Sequence, residues 1–522
     1  MPGHSAAVGA VLAGPFSTIG ELIALHAAER PAHVALVHDA REVTFGELDA
    51  RVDRVAAALQ RDGVGPGGVV AQSAANSIDY AVVFFAALRA GAAVAPVPQS
   101  TAPAGLAAMV ADSGATHLFV DAAVQAALAP HRAQLPAHVV TLDDAGDGPS
   151  LAGWLRDAPL APRAVAVEAA WPFNVIYSSG TTGTPKGIVQ PHAMRWTHVQ
   201  RAAVYGYDAD AVTLISTPLH SNTTLVSFLP AVALGGTVVL MAKFDVERYL
   251  ALAERHRVTH TMLVPVQYQR LLAHPAFDRY DLSSFRAKFS TSAPFAPALK
   301  TEVLARWPGG LFEFYGMTEG GGTCVLACHE RPDKLHTAGR AAPGHDIRVI
   351  DEDGRELPRG EVGEIVGRSP GMMTGYHGRA DATAAAEWHD AEGRRYIRTG
   401  DLGRFDEDGF LVLLDRRKDM IISGGFNVYP SDLEAVLRAH PSVLDVAVVG
   451  VPSERWGETP VAFVVPAPGT TADPAGLRAW VNERVGKLQR LADVRLVDAL
   501  PRSHIGKVLK RELRASYAST SR

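Results

Sequence analysis

Apolar and polar positions follow two rhythms along this chain. From Thr44 to Gln60 the rhythm is helical: Thr44 and Glu47 are spaced as a capping box, and Leu48, Val52, Val55 and Leu59 fall on one face. The spacing predicts a surface helix lying on a core. Asp79 to Ala90 predicts a second helix stopped by Gly91, and Ala93-Val94-Ala95 a short apolar strand ended by Pro96. Short apolar runs recur at Leu118 to Val120, Val139 to Leu142, Thr237 to Met241 and Met262 to Val264, with helical stretches between them. Such alternation suits mostly parallel, buried strands joined by helices, and the expected class is α/β.

Beyond about residue 340 the pattern shifts to short strands and turns, as in Ile347 to Ile350 before Asp351-Glu352-Asp353-Gly354 and Phe410 to Leu414 after Asp406 to Gly409. From Lys418 onward a small α+β domain is expected, with helices over 431–438 and 474–485 and strands over 446–451 and 461–465. The polar run Asp415-Arg416-Arg417-Lys418-Asp419 is read as the boundary. It divides a large N-terminal domain over 1–417, made of mixed α/β subdomains and a β-rich subdomain, from a small mobile domain over 418–522. There is no internal repeat.

A chain of 522 residues exceeds what one core can serve, so two or more domains are expected. With 47% apolar and 20% charged residues it has a globular balance, and a formal net charge of -5 argues against nucleic acid as its main partner. Its two cysteines, Cys324 and Cys328, are followed by His329, without a second ligand pair at zinc spacing. Ordinary packing is the expectation for them, and the low cysteine count fits a reduced, cytoplasmic setting. Neither a signal peptide nor a membrane-spanning helix is predicted at the N-terminus.

The most specific chemistry lies in Tyr177 to Gly187, YSSGTTGTPKG, set between the apolar pairs Val175-Ile176 and Ile188-Val189. Such a loop offers backbone N–H groups around Gly180 and the hydroxyls of Ser178, Ser179, Thr181, Thr182 and Thr184 to phosphate oxygens, and Lys186 adds charge. A Walker loop would need Gly before the lysine and Ser or Thr after it, where this chain has Pro185 and Gly187.

The segment resembles the phosphate loop of the acyl-adenylate-forming superfamily, and further matching motifs follow in that family's order. They are Tyr315-Gly316-Met317-Thr318-Glu319, Tyr396-Ile397-Arg398-Thr399-Gly400-Asp401, Asp415 to Asp419 through Gly424-Gly425, and Pro501-Arg502-Ser503-His504-Ile505-Gly506-Lys507. The branch it resembles is that of the acyl-CoA synthetases, similar to aryl, 4-coumarate and medium-chain acyl-CoA ligases. The resemblance implies an AMP-forming ligase that adenylates an organic acid with Mg-ATP and then passes the acyl group to coenzyme A. ATP, coenzyme A and Mg2+ are the implied cosubstrates and cofactor.

By the same resemblance Tyr315 stacks on adenine, with Gly316 and Met317 beside it. Thr318 contacts the α-phosphate, and Glu319 holds the magnesium. Ser292-Ala293-Pro294 takes the place of an adenine-side loop, although the family's usual glycine pair is here Thr291-Ser292. Asp401 accepts the ribose hydroxyls, Arg416 reaches the ribose, and Lys418 is the hinge between domains. Gly424 and Gly425 line the pantetheine channel. Lys507 is the catalytic lysine of adenylation: about 4 Å from the reacting anions it would offset roughly 4 kcal/mol at an effective dielectric near 20. The acid pocket is implied near His220, Ser221, Asn222 and Thr223, near Ser290 to Ser292, and near Gly316 and Gly320 to Gly322. Glycines behind Glu319 are read as leaving room for a flat ring or a medium acyl chain. The acid expected is hydroxycinnamate-like, benzoate-like or medium-chain fatty, and the alternative is a free-standing enzyme loading a carrier protein. Luciferase-like and inert nucleotide-binding readings share the fold without support of their own. A homodimer is the assembly considered, although no isolated apolar interface can be read from the chain.

Overall fold

Helix Phe45–Arg61 begins where the capping box placed it: the Glu47 N–H donates to the Thr44 hydroxyl, and the Thr44 N–H donates to the Glu47 carboxylate. Leu48, Val52, Val55 and Leu59 are all buried, so the apolar stripe is the core face. The computed structural model describes residues 4–143, 149–178, 186–423, 426–503 and 506–520, with only the backbone for Ser178, Leu488 and Thr520.

Two compact units result. The first spans Met1–Leu335, Ala342–His345 and Arg368–Glu387, and the second His336–Ala341, Asp346–Gly367 and Trp388–Arg522. In the first unit one sheet runs, in spatial order, through Thr323–Ala327, Gly310–Gly316, Ala287–Ser290, His260–Leu263, Val212–Ile215, Thr237–Leu240, Val34–His38 and Arg41–Thr44. Its middle is parallel, as expected, and both ends named here turn antiparallel, because short returns there fold a strand back on its neighbour. A second sheet of the unit runs Gly375–Tyr376, Lys186–Pro191, Pro172–Ser178, Ala93–Pro96, Val69–Ser73, His117–Val120 and His138–Thr141. The two strands that flank the glycine- and hydroxyl-rich segment pair antiparallel, with Tyr177 opposite Gly187.

Helix Ile78–Arg89 is buried over nearly its whole length, which explains why it reads apolar on every face. Phe85 stacks on Phe228 of helix Asn222–Ala233 at 5.5 Å between centroids, and Phe84 meets Phe173 at 6.0 Å. Each such side chain contributes on the order of 2 kcal/mol by leaving water. The core therefore fixes helix Asn222–Ala233, whose first turn carries candidate acid-binding residues.

The second unit contains a hairpin-rich sheet with Asp346–Ile350, Gly363–Arg368, Arg395–Phe405 and Leu411–Arg416. It also contains the α+β fold read from Lys418 onward. There the antiparallel pair Val443–Ser453 and Gly457–Pro466 is buried on both faces, under helices Pro430–Arg438 and Pro474–Arg484 on one side and Leu500 and Leu513 on the other. The polar run 415–419 lies within this unit. Among the described residues no helix is long and apolar enough to cross a membrane.

Candidate active site

In the first unit, strand Lys186–Pro191 carries Lys186 at its head and pairs with the two-residue strand Gly375–Tyr376. The Lys186 ammonium lies 5.0 Å from the centre of the Tyr376 ring, and the Tyr376 hydroxyl donates to Glu319 Oε1 at 2.9 Å. The Met373 N–H holds the Glu319 carbonyl at 2.9 Å. A cation, a phenol and a carboxylate thus stand in a row. Burial, followed by the neighbouring Glu319 charge, pushes the Tyr376 phenol up, so it remains a donor. Tyr376 was not read from the sequence: it lies 57 residues beyond Glu319, and only the fold joins them.

A buried polar network lies beside Thr318. Gln190 donates through Nε2 to the Thr318 carbonyl at 2.6 Å and lies 3.4 Å from Asn222 Oδ1. Its Oε1 accepts from Asn174 Nδ2 at 2.8 Å and from Arg195 Nη2. Arg195, on helix His192–Ala202, is only 1% exposed, and its Nε and Nη2 both reach Asn174 Oδ1 at 3.0 Å. Burial lowers the guanidinium to about 9. None of these three polar residues was singled out from the sequence, which shows them as separate polar interruptions of apolar runs.

Asn222 opens its helix, preceded by the buried His220 and Ser221. Thr223 Oγ1 and Ser292 Oγ share a hydrogen bond of 2.5 Å, which brings the first turn of that helix to the Ser292-Ala293-Pro294 segment. Ser292 has φ +77°, a left-handed backbone that glycine adopts without cost. This explains why a glycine would be at home where this chain has serine. Tyr315 is half-buried at the end of strand Gly310–Gly316, with Gly316 exposed and Met317 half-buried after it. Gly320, read as bordering the substrate, has a further reason to be glycine. A Cβ there would lie 2.3 Å from the Gly371 carbonyl oxygen and 3.0 Å from Met194 Cε, so this glycine admits a neighbouring backbone segment.

In the second unit, Asp401 and Arg416 face each other across paired strands, with Arg416 Nε 2.6 Å from Asp401 Oδ1. The Asp401 N–H donates to Thr399 Oγ1, and the Thr399 hydroxyl donates to the Ile365 carbonyl, which fixes the turn at Gly400. Lys418 is exposed in the turn that follows. Lys507 is exposed on a tight hairpin in which the Ser503 N–H donates to its carbonyl and its own N–H to Ser503 Oγ. Arg502 clamps this hairpin, donating to the Gly506 carbonyl at 2.7 Å and pairing with Asp445 at 2.5 Å.

Ser179, Gly180, Thr181, Thr182, Gly424 and Gly425 lie outside the described residues, as does the Ser178 side chain. Cys324 and Cys328 are buried and unpaired, with burial pushing both thiols up to about 12, so they pack as neutral groups. Among the described residues one trio could ligate a metal: Asp62, His117 and His138. The two imidazoles stack at 4.3 Å with planes 4° apart, so in-plane lone pairs on separate parallel planes do not meet at one ion. His117 Nε2 instead lies 3.4 Å from Asp62, which also accepts from Trp154 Nε1.

The AMP-binding enzyme family profile matches residues 23–377, and that of the AMP-binding enzyme C-terminal domain matches residues 432–507. The chain is 34% identical to an indoleacetate–CoA ligase of Aromatoleum aromaticum over 96% of its own length and 98% of that protein's. It is 36% identical to a feruloyl-CoA synthase of an Amycolatopsis species, over 93% and 96% of the respective chains. The fold superposes on ATP-bound MatB from Rhodopseudomonas palustris with a TM-score of 0.87 at 30% identity, covering 97% of this chain and 100% of that one.

Proposed function

Because this chain belongs to the AMP-binding enzymes, the acyl-adenylate-forming family of acid–thiol ligases, we propose that it joins an aromatic carboxylic acid to coenzyme A by way of the acyl-adenylate. The observation that carries the chemistry is the row formed by Lys186, Tyr376 and Glu319, which offers a positive charge and a carboxylate to one polyphosphate. The aromatic character of the acid rests on the indoleacetate and ferulate relatives, and the same two names favour coenzyme A over a carrier protein as acceptor.

A carboxylate is a poor electrophile, and attack on the α-phosphorus of ATP makes it an acyl phosphate anhydride while pyrophosphate leaves. In this reading the residues of the chain divide the work. Tyr315 offers a flat face to adenine. Asp401, oriented by Arg416, accepts from the ribose hydroxyls. Thr318 and Lys186 meet phosphate oxygens, and Lys507 offsets the repulsion between the incoming carboxylate and the phosphate. Glu319 fits a magnesium ion: Tyr376 occupies Oε1, while Oε2, which has no partner among the described residues, is a hard oxygen donor. When bound, that ion would neutralise phosphate charge. Lys418 is assigned the hinge about which residues 418–522 turn between the two half-reactions, and Gly424 and Gly425 the pantetheine passage. The acid would lie against His220, Ser221 and Asn222.

The test is incubation with Mg-ATP, coenzyme A and a panel of arylacetic, hydroxycinnamic, benzoic and straight-chain acids, with AMP, pyrophosphate and acyl-CoA followed by mass spectrometry. Aryl-CoA formation is expected. Thioesters from straight-chain acids alone would overturn the aromatic assignment, and acid-dependent pyrophosphate without thioester would overturn coenzyme A as acceptor.

A further inference from the structure

The trio Asn174, Gln190 and Arg195 has a feature that packing alone does not require. Arg195 is a fully buried guanidinium whose hydrogen-bonded partners are amide oxygens, with no carboxylate beside it among the described residues. An uncompensated buried cation is costly, so its position calls for an explanation. Chemically, a guanidinium can only donate. The two ends of a glutamine amide are nearly the same shape, and a neutral partner could accept either end. Facing Arg195, Gln190 has only one orientation: Oε1 inward, towards Arg195 and Asn174, and Nε2 outward, towards the Thr318 carbonyl and the Asn222 side chain. Asn174 is fixed in the same way, with Oδ1 on Arg195 and Nδ2 on Gln190.

We propose that Gln190 is a positioning residue for adenylation, its amide polarity set by Arg195 and Asn174 so that it holds the Thr318 main chain from the side of the helix that begins at Asn222. The proposal rests on the reading that Thr318 and Glu319 serve ATP. Thr318 sits in a turn after a strand end, where the Gln190 donation is a side-chain hold on its carbonyl. Small displacements of reacting groups cost rate steeply, so losing this hold is expected to slow adenylation tenfold to a hundredfold. The same amide touches Asn222, and the hold is therefore shared between the nucleotide segment and the helix start assigned to the acid.

Gln190→Glu separates positioning from packing. A carboxylate of the same shape still accepts from Arg195 and Asn174, but it presents an acceptor to the Thr318 carbonyl in place of a donor. The expected result is a melting temperature equal to or above that of the wild type, with acid-dependent ATP–pyrophosphate exchange at least tenfold slower in kcat. Unchanged melting with exchange within twofold of wild type would overturn the proposal. Should Gln190→Glu fail to fold, the triple variant Asn174→Leu, Gln190→Leu, Arg195→Met takes its place, since it removes the three mutually bonded groups together and leaves the Thr318 carbonyl without the Gln190 donor. Exchange within twofold of wild type in that folded variant would likewise overturn the positioning role. Thr318→Ala and the wild type run alongside. A wild type without exchange overturns the ligase reading and this proposal with it, whereas slow Thr318→Ala beside normal Gln190→Glu overturns the positioning role alone.

Discussion

Ser292 carries a left-handed backbone and a hydroxyl bonded to Thr223, and these two features oppose each other. Ser292→Ala loses the hydrogen bond and keeps the strain, while Ser292→Gly loses the bond and relieves the strain. The glycine variant should therefore be the more stable by about 1 kcal/mol, read as a difference in urea midpoint. A side chain that forces φ is compatible with a glycine place in a family pattern only because the cost is small. Lys507 is the opposite case, an exposed residue whose proposed role is wholly chemical. Lys507→Ala should fold as the wild type does and lose about a hundred- to a thousandfold in the rate of acid-dependent pyrophosphate exchange. A loss smaller than tenfold would remove Lys507 from the adenylation step.

Among the elements, the turn after strand Leu411–Arg416 is the place to test domain rotation. The Asp419 and Met420 N–H groups both donate to the Arg416 carbonyl, and no described main-chain bond uses the Lys418 N–H. Lys418→Pro accordingly removes no described hydrogen bond and fixes one φ. Pyrophosphate exchange should survive while thioester formation falls at least tenfold, measured on the same preparation. Equal loss of both would refute the hinge. The capping box at Thr44, the stop at Gly91 and the strands near 93–96, 118–120, 139–141, 237–240 and 262–263 were legible because periodicity and caps are local signals, whereas Val212–Ile215 in the middle of the first sheet was not read. The antiparallel sheet edges were harder, since Lys186–Pro191 and Gly375–Tyr376 meet from distant parts of the chain. The same limit hid Tyr376, Gln190 and Arg195, whose roles exist only through partners the sequence does not put beside them. Gly320 shows the converse: its motif was legible, but the close approach of the Gly371 carbonyl was not.

For the whole molecule, the first unit buries His192 and His260 and half-buries His345, in surroundings that hold each at about 4, chiefly by desolvation. His192 sits edge-on to Phe173, and His260 stacks on Tyr207. Between pH 6.5 and 4 the unfolded chain takes up protons at these sites and the folded chain does not. Stability therefore falls as the pH drops through that window, by roughly 1.4 kcal/mol per pH unit for each histidine. Urea midpoints at pH 7.5 and 5 should show a clear loss at the lower value, and a flat profile would contradict the burial of these rings. The Asn174–Gln190–Arg195 network also has a consequence in evolutionary time. Replacing one member by an apolar residue strands the other two in a dry interior, whereas replacing all three removes their mutual bonds together and leaves the Thr318 carbonyl as the chief group that loses a donor. A lineage carrying the trio is thus held in a shallow basin of sequence space, with the all-apolar alternative on the far side of less stable single-step intermediates. Descendants are expected to keep the three residues or to exchange them as a set.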